Sequence, residues 1–495
     1  MNRQHRIWII VIGLLVLSSP LTYAQDAPNR QIFLAIDEAI AIALQNNLDI
    51  QIQQYEPESG KEAILEAEAA FAPKIEASSG QVFNQQPDPQ NSPEMITSLE
   101  TGITKRLSTG GSLGASLQIS RSGLPDSDAP DAVDTQYDTQ LTLSVGQALL
   151  QGRGFEINRM PITIAQKQRE MSVSDLRAEI IDVVSTIKTT YWRLINVRGD
   201  LEAKRLSLQL AYDLVKINEA QVKVGTLAPI EVLQAQATAA SREVEIISAE
   251  QTVQDVEDQL KLLLNISDDN PAWDASIIPT DTPLSTRQPV SLEESIRLAL
   301  ANSEQLKQLR KAVELQQLSV IAAENQLLPE LDVQGALQLN GNDEDFGGSF
   351  SEFAGFDDFS LSLGASFSYP IGNAAAQSSH KAAKLDLDKS RLSIQNVEQL
   401  IINQVKQAVR GVETSYRLVE ASNLALQLAQ QQLDAEQKKF NEGLSTNFQV
   451  LQFQGSLAGS RSGYTGAITS YNQALVGLEQ ITGITLQQHG IVVNE

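Results

Sequence analysis

The step Gly152-Arg153-Gly154, between an alternating segment and a long helical one, has the outline of a phosphate-cradling turn, in which glycines let backbone amides close on a diphosphate. Ile157 stands where that fingerprint needs its third glycine, so no nucleotide site is expected, and the two glycines read better as a bend between elements. The chain carries three histidines and no cysteine. His5 lies in the leader described below, and His380 and His489 keep no metal-ligand or catalytic spacing, so no metal, cofactor or catalytic residue is expected. Without thiols there is no disulfide, no cysteine nucleophile and no acceptor for an amino-terminal lipid. Carboxylates abound, but an acid–base pair cannot be told from a solvated helix face by sequence. They concentrate in two stretches, Asp126, Asp128, Asp131, Asp134 and Asp138, then Asp343, Glu344, Asp345, Glu352, Asp357 and Asp358. Each stretch is either a cation-attracting rim or simply a solvated loop, the second being the simpler reading.

The elements that would position such residues begin with an export leader. Arg3 and Arg6 precede the apolar run Ile7 to Leu17, and Thr22-Tyr23-Ala24 stands ahead of Gln25, which is a secretory signal layout with cleavage expected after Ala24. The run is too short for a membrane-spanning helix, which needs roughly 20 residues. No later stretch is long and apolar enough either, so the mature chain is either soluble after export or crosses a membrane as β-strands. The formal charge of −24 becomes more negative still once Arg3 and Arg6 are lost, which argues against a nucleic-acid partner.

The chain is one unit written twice. Asp37 to Asn46 aligns with Glu293 to Asn302, an offset of 256 (293 − 37) that also pairs Pro73 with Pro329. Later, Val222-Lys223-Val224-Gly225 aligns with Phe440-Asn441-Glu442-Gly443, and Val232-Leu233 with Val450-Leu451, at an offset of 218 (443 − 225). The first copy therefore holds 38 extra residues (256 − 218). These landmarks divide the chain into a signal peptide 1–24, a first repeat 25–264 with an additional hairpin near 97–121, a connector 265–290 rich in Pro, Asp and Thr, and a second repeat 291–495.

Within each copy the hydrophobic period changes from helical to alternating and back. Helices are expected over 34–72 and 291–328, each stopping at a proline. Strands follow near 75–84, 97–107, 112–121 and 138–147 in copy one, and near 331–340 and 359–369 in copy two. The stretches 161–222 and 374–440, free of proline after Pro161 and Pro370, would make helices roughly 90 to 100 Å long. Leu206, Leu210, Leu214 and Ile217, and again Leu418, Ala421, Ala425 and Leu428, step by three or four and are expected to form coiled-coil seams. Each long helix should end at Gly225 or Gly443, with return helices running to about Leu264 and Ile481. Six strands cannot close a membrane barrel, which needs at least eight and an even number, so several chains must share one wall.

The repeated unit, with Ala43-Leu44-x-Asn46-Asn47, Ala69-x-Phe71-x-Pro73, Ser368-Tyr369-Pro370-Ile371 and Gly225 followed by Glu231-Val232-Leu233-x-Ala235, resembles the TolC family of outer-membrane efflux proteins over nearly all the mature chain. The resemblance implies an α+β membrane protein: a homotrimer whose hairpins share one transmembrane β-barrel and whose long helices continue it as a periplasmic α-helical tunnel. It implies a passive outer-membrane exit duct for efflux or type I secretion, serving an inner-membrane pump through a periplasmic adaptor protein. The turns Gly225, Thr226 and Leu227, and Gly443 and Leu444, would be the adaptor-docking tip, and Glu231, Gln449, Gln452 and Ser445 would line its gate. Some positions depart from the family pattern. Ala148 replaces the proline that Pro370 matches, Gln449 and Gln452 stand where relatives place aspartates, and Ser445 lacks the basic side chain some relatives use at the tip. Two questions stay open at this stage: whether the additional hairpin joins the wall or folds as an external flap, and whether Glu231 meets the lumen or a neighbouring helix. The rival reading is a soluble or peripheral periplasmic coiled-coil scaffold, which has no use for lipid-facing strands.

Overall fold

The computed structural model describes residues 10–11, 31–84, 94–125, 133–267, 270, 272–356 and 358–493. The cleavage site after Ala24 lies outside them, as do Asp126, Asp128, Asp131 and Asp357. In the first half of the chain the main elements are β1 (Gln31–Leu34), α1 (Ile36–Asn46), α2 (Leu48–Ala69), β2 (Lys74–Asn84), β3 (Glu94–Arg106), β4 (Gly111–Pro125), β5 (Val133–Ala148), α3 (Met160–Lys223) and α4 (Pro229–Leu263). The second half gives β6 (Ser276–Pro279), α5 (Leu292–Asn302), α6 (Glu304–Asn325), β7 (Glu330–Asp343), α7 (Phe346–Gly355), β8 (Asp358–Ser368), α8 (Ala374–Asn441) and α9 (Asn447–Thr482). They form two compact units, residues 57–171 with 309–393, and residues 1–56 with 172–308 and 394–495. Each unit draws on both copies of the repeat.

The first unit is built on one six-stranded sheet, ordered β2-β3-β4-β5-β7-β8 with every neighbour antiparallel. All six expected strands are present, and β3 and β4 are interior strands, so the additional hairpin is an integral part of this sheet. Period-2 alternation separates the faces. Ile75, Ile103, Ala115, Leu143, Leu337 and Leu361 lie side by side across all six strands, with Leu117, Leu141, Leu339 and Phe359 in the next row. The other face carries Glu76, Gly102, Ser116, Thr142, Gln338 and Ser360 in one row. Its side chains bond to one another: Gln140 Nε2 donates to Asn340 Oδ1 at 3.1 Å, and Ser360 Oγ to Gln338 Oε1 at 3.1 Å. Opposite the polar face many apolar side chains stay exposed, Ile75 by 76% and Leu363 by 80%, while Leu339 is buried. The glycine bend ends this unit's sheet: Gly152 and Gly154 take φ of 78° and 101°, and the Asn158 side-chain amide donates to both of their carbonyls.

The second unit is helical. Leu176, Ile180, Val184, Ile187, Tyr191 and Leu194 of α3 pack with Ile40 and Leu44 of α1 and Val253, Val256 and Leu260 of α4 in its largest core. Burying this many aliphatic side chains at about 1.5–3 kcal/mol each is what holds long helices that propensity alone would leave marginal. The connector is strapped to the unit by side chains from the helices. Tyr191 Oη donates at 2.8 Å to the carbonyl of Leu34 and accepts from the amides of Thr280 and Asp281, and Asn472 brackets the backbone of Leu284 with both its amide atoms. Strand β6 pairs in parallel with β1, which ties the connector to the start of copy one.

Two expectations need correction. The helices expected over 34–72 and 291–328 are each broken in two, at Asn47 and Ser303. Asn47 takes extended backbone and Ser303 a ψ of 113°, both outside the helical region, and their side-chain oxygens accept from the amides of the following helix, Asn47 Oδ1 from Asp49 and Ile50, and Ser303 Oγ from Leu306. Asn and Ser compete with the helix for its own donors and so restart it. Within the single chain the buried stripe of α8 is also a different one from Leu418, Ala421, Ala425 and Leu428. Val405, Val412, Val419, Leu433 and Phe440 are buried at heptad spacing, whereas Leu418 and Leu428 are 55% and 48% exposed. The helix carries two apolar stripes, and spacing alone cannot say which one the same chain covers.

Candidate functional site

The two reversals that end α3 and α8 are built alike. Gly225 and Gly443 take φ of 81° and 74°, a left-handed conformation that costs glycine nothing. The following amides, Thr226 and Leu444, reach back to the carbonyls of Gln221 and Lys439 at 2.9 and 2.8 Å, which satisfies the end of each helix. Pro229 begins α4, and Thr446 caps α9 by accepting from the amide of Gln449. Val224, Ile230, Leu444 and Phe448 are left exposed around these turns.

Beneath the turns the two copies meet through a buried polar knot. The Asn218 side-chain amide donates to Asn447 Oδ1 at 3.0 Å and to the carbonyl of Glu231 at 3.3 Å, and Asn447 Nδ2 donates to that same carbonyl at 3.2 Å. Leu214, Phe440, Val450 and Leu451 form the apolar cluster beside it. Both asparagines are closed off from solvent, exposed by 0% and 1%. Ser445 donates to Glu436 and lies 2.9 Å from Gln449 Oε1, while Lys439 pairs with Glu436 at 3.1 Å. The Ser445 hydroxyl, with help from Lys439, holds the Glu436 carboxyl below the usual glutamate range.

The expected gate residues are thus split between roles. Ser445 and Gln449 are brought together, Gln452 is exposed on α9, and Glu231 is half-buried, giving its main-chain carbonyl to the knot. Of the expected docking turns, Gly225, Thr226, Gly443 and Leu444 are exposed and Leu227 is half-buried. Asn218, Glu436 and Asn447 escaped the sequence reading. The repeat offset held a signal for the first two, since Asn218 matches Glu436 at 218 residues (436 − 218), but none for Asn447, which matches Pro229. Two polar residues at matched positions that are both buried mark a place where polarity is structural. Among the described residues no group of three or more His, Cys, Asp or Glu is placed to hold a metal.

In the sheet unit the comparable feature is a pair of free edges. Among the described residues strand β2 is bonded only to β3 and β8 only to β7, and each edge strand is 11 residues long. An unpaired edge of that length beside an exposed apolar face is a template for another strand.

Comparison with known proteins adds the family. A model of the family described as outer membrane efflux protein matches residues 106–265 and 295–484. The fold is similar to that of the Campylobacter jejuni CmeC outer membrane channel, at 15% identity and a TM-score of 0.67 over 93% of this chain and 87% of that one. It is similar to the Vibrio cholerae outer membrane protein VceC at 16% identity and 0.67, over 90% and 96% of the two chains. The open state of the Neisseria gonorrhoeae MtrE outer membrane channel matches at 16% identity and 0.62, over 90% and 88%. No curated protein sequence matches the chain.

Proposed function

Since the chain belongs to the outer membrane efflux protein family, we propose that it is a passive exit duct of the outer membrane, in which three copies close their sheets into one barrel and their long helices into a periplasmic tunnel. The observation that carries this reading is the six-stranded sheet with two free 11-residue edges and one exposed apolar face. Three sheets of six strands supply 18, an even number well above the minimum for a membrane barrel, and joining β2 of one copy to β8 of the next removes every edge. The apolar face then meets lipid and the polar face, with Gln140, Asn340 and Ser360, lines the lumen. The exposed stripe of α8, with Leu418 and Leu428, packs against the neighbouring copy.

At the periplasmic end the exposed Val224, Ile230, Leu444 and Phe448 form the surface on which an adaptor protein docks and links the duct to an inner-membrane pump, which provides the energy and selects small molecules or proteins as cargo. Glu231, Gln449 and Gln452 stand near the threefold axis and set the charge of the gate. Cell fractionation tests the reading. Detergent-dependent oligomers in the outer membrane, with single-channel conductance after reconstitution, are the expected result. Recovery as a soluble periplasmic protein would favour the coiled-coil scaffold instead.

A further inference from the structure

The helix α7 is not used by the channel reading, and it sits in an unusual place. It leaves the end of β7 through Asp345, whose side chain caps it by accepting from the amides of Gly347 and Gly348, and folds back onto the sheet. Ser349, fully buried, bonds to Thr139 Oγ1 at 2.9 Å and to the carbonyl of Gly341 at 3.0 Å. Thr139 and Gly341 are register partners, two residues along their strands from Leu141 and Leu339, so the helix is seated on the apolar face. Gly341 makes the seat possible, because a Cβ there would fall 1.9 Å from the Ser349 carbonyl oxygen. The seat lies at the strand ends opposite Ala148 and Glu330.

The helix is short of charge and rich in phenylalanine. Glu352 is its only ionisable residue, while Phe346, Phe350 and Phe353 follow at i, i+4 and i+7, which places them on one stripe. The stripe touches the sheet at both ends, Phe346 lying edge-on to Tyr137 with centroids 6.2 Å apart and Phe353 close against Gly341, and Phe350 lies between the two. Yet Phe346 and Phe350 remain 46% and 44% exposed, and Phe356 just beyond is 62% exposed. Arg121 lies over the Tyr137 ring at 6.0 Å. An aromatic stripe with few charges, continuous with an apolar wall and located at its rim, matches the boundary between acyl chains and headgroups, where aromatic rings are favoured.

We propose that α7 is an interfacial helix that lays Phe346 and Phe350 into the outer leaflet of the membrane, extending the lipid contact of the sheet beyond the strands themselves. Arg121 faces the lipid phosphates from the same cluster, and Glu352 stays on the water side, where its carboxylate accepts from the amide of Asn342. The proposal rests on the reading of the sheet as a membrane wall, and one experiment separates the two. The chain has no cysteine, so a nitroxide can be placed singly at Phe350→Cys, at Leu361→Cys on the sheet, and at Leu444→Cys on the helical turn. The full-length channel, reconstituted in phosphatidylcholine and phosphatidylglycerol vesicles, is then probed with oxygen, which concentrates in lipid, and with a water-soluble nickel chelate. Oxygen should dominate at 361 and at 350, with 350 reporting the shallower depth, and the chelate should dominate at 444. A water-like label at 350 beside a lipid-like one at 361 overturns the proposal and leaves the wall standing. Shielding of 350 from both probes also overturns it, because protein would then cover the stripe. A water-like signal at both 350 and 361 overturns the wall reading and the proposal together.

Discussion

Replacing Asn447 by alanine should loosen the reversal region more than any exposed substitution there. The variant removes two hydrogen bonds, from Asn218 to Asn447 Oδ1 at 3.0 Å and from Asn447 Nδ2 to the Glu231 carbonyl at 3.2 Å. Each contributes about 1 kcal/mol net, and a buried donor left with poorer pairing adds about 1–2 kcal/mol. Asn218 is already fully buried, its own Oδ1 has no partner among the described residues, and it would keep its 3.3 Å bond to Glu231. The loss is therefore about 3–4 kcal/mol per chain, which raises the local opening equilibrium roughly 160- to 850-fold. Hydrogen exchange of the Gly225, Thr226, Gly443 and Leu444 amides, all bonded across the two reversals, reads this directly. Single-channel recording should show more frequent openings if the knot holds a gate. Because Asn218 and Asn447 share their bonds, Asn218→Ala with Asn447→Ala should cost clearly less than the two single changes summed. Unchanged protection in Asn447→Ala, or full additivity in the double variant, would refute the reasoning.

Other outcomes follow from charge and protonation. The Tyr191 hydroxyl, held by burial and by Asp281 with its pKa pushed up to about 12, resists ionisation in the folded chain; its stabilising effect is complete below pH 10 and should be lost as pH rises from there toward 12. Thermal unfolding across that window should show the loss, and Tyr191→Phe should remove the pH dependence while lowering stability by about 2–3 kcal/mol through lost hydrogen bonds. For Glu436 the sign is opposite. Its depressed carboxyl stabilises the Ser445 turn above the ordinary glutamate value of 4.5, and exchange protection of Leu444 should fall as pH drops below that value, an effect that Glu436→Gln should abolish. At the gate, divalent cations on the periplasmic side should block conductance only weakly. Three carboxylates about 10 Å apart at an effective dielectric near 20 repel by roughly 1.7 kcal/mol per pair and invite a cation, so Gln449→Asp with Gln452→Asp should strengthen the block. Glu231→Gln should remove what remains, and a strong native block unchanged by Glu231→Gln would show that Glu231 is not in the lumen.

The sheet was the most legible part of the chain. Strands such as Leu361, Leu363, Ala365 and Phe367 alternate cleanly with small polar residues, because successive side chains point to opposite faces of the sheet, and that alternation is written residue by residue. The long helices were equally plain from the absence of proline after Pro161 and Pro370 and from the glycines that end them. Their faces were not. In α8 both Val419 and Leu418 satisfy a helical stripe, and only the three-dimensional partner decides that Val419 is buried within the chain. The breaks at Asn47 and Ser303 were missed because a single capping residue outweighs the propensity of the Ala- and Leu-rich segments around it. The knot at Asn218 and Asn447 depends on side chains 229 residues apart, a pairing that no local pattern carries. Helix α7 was hidden for a related reason: its Gly347-Gly348 and scattered phenylalanines fall inside an acidic stretch that reads as a solvated loop, and its seat depends on the missing side chain of Gly341.

The union of β2 with β8 of a neighbouring copy can be tested by covalent capture, since introduced cysteines would be the only thiols in the chain. Ala77 on β2 and, one at a time, Phe359, Leu361, Leu363 and Ala365 on β8 share the apolar face, and each pair can be oxidised in native outer membranes. The expected result is a disulfide-linked trimer on non-reducing gels from the pair or pairs in register, with no product from the others. Monomers alone across the whole series, or a disulfide closed within one chain, would contradict the shared barrel.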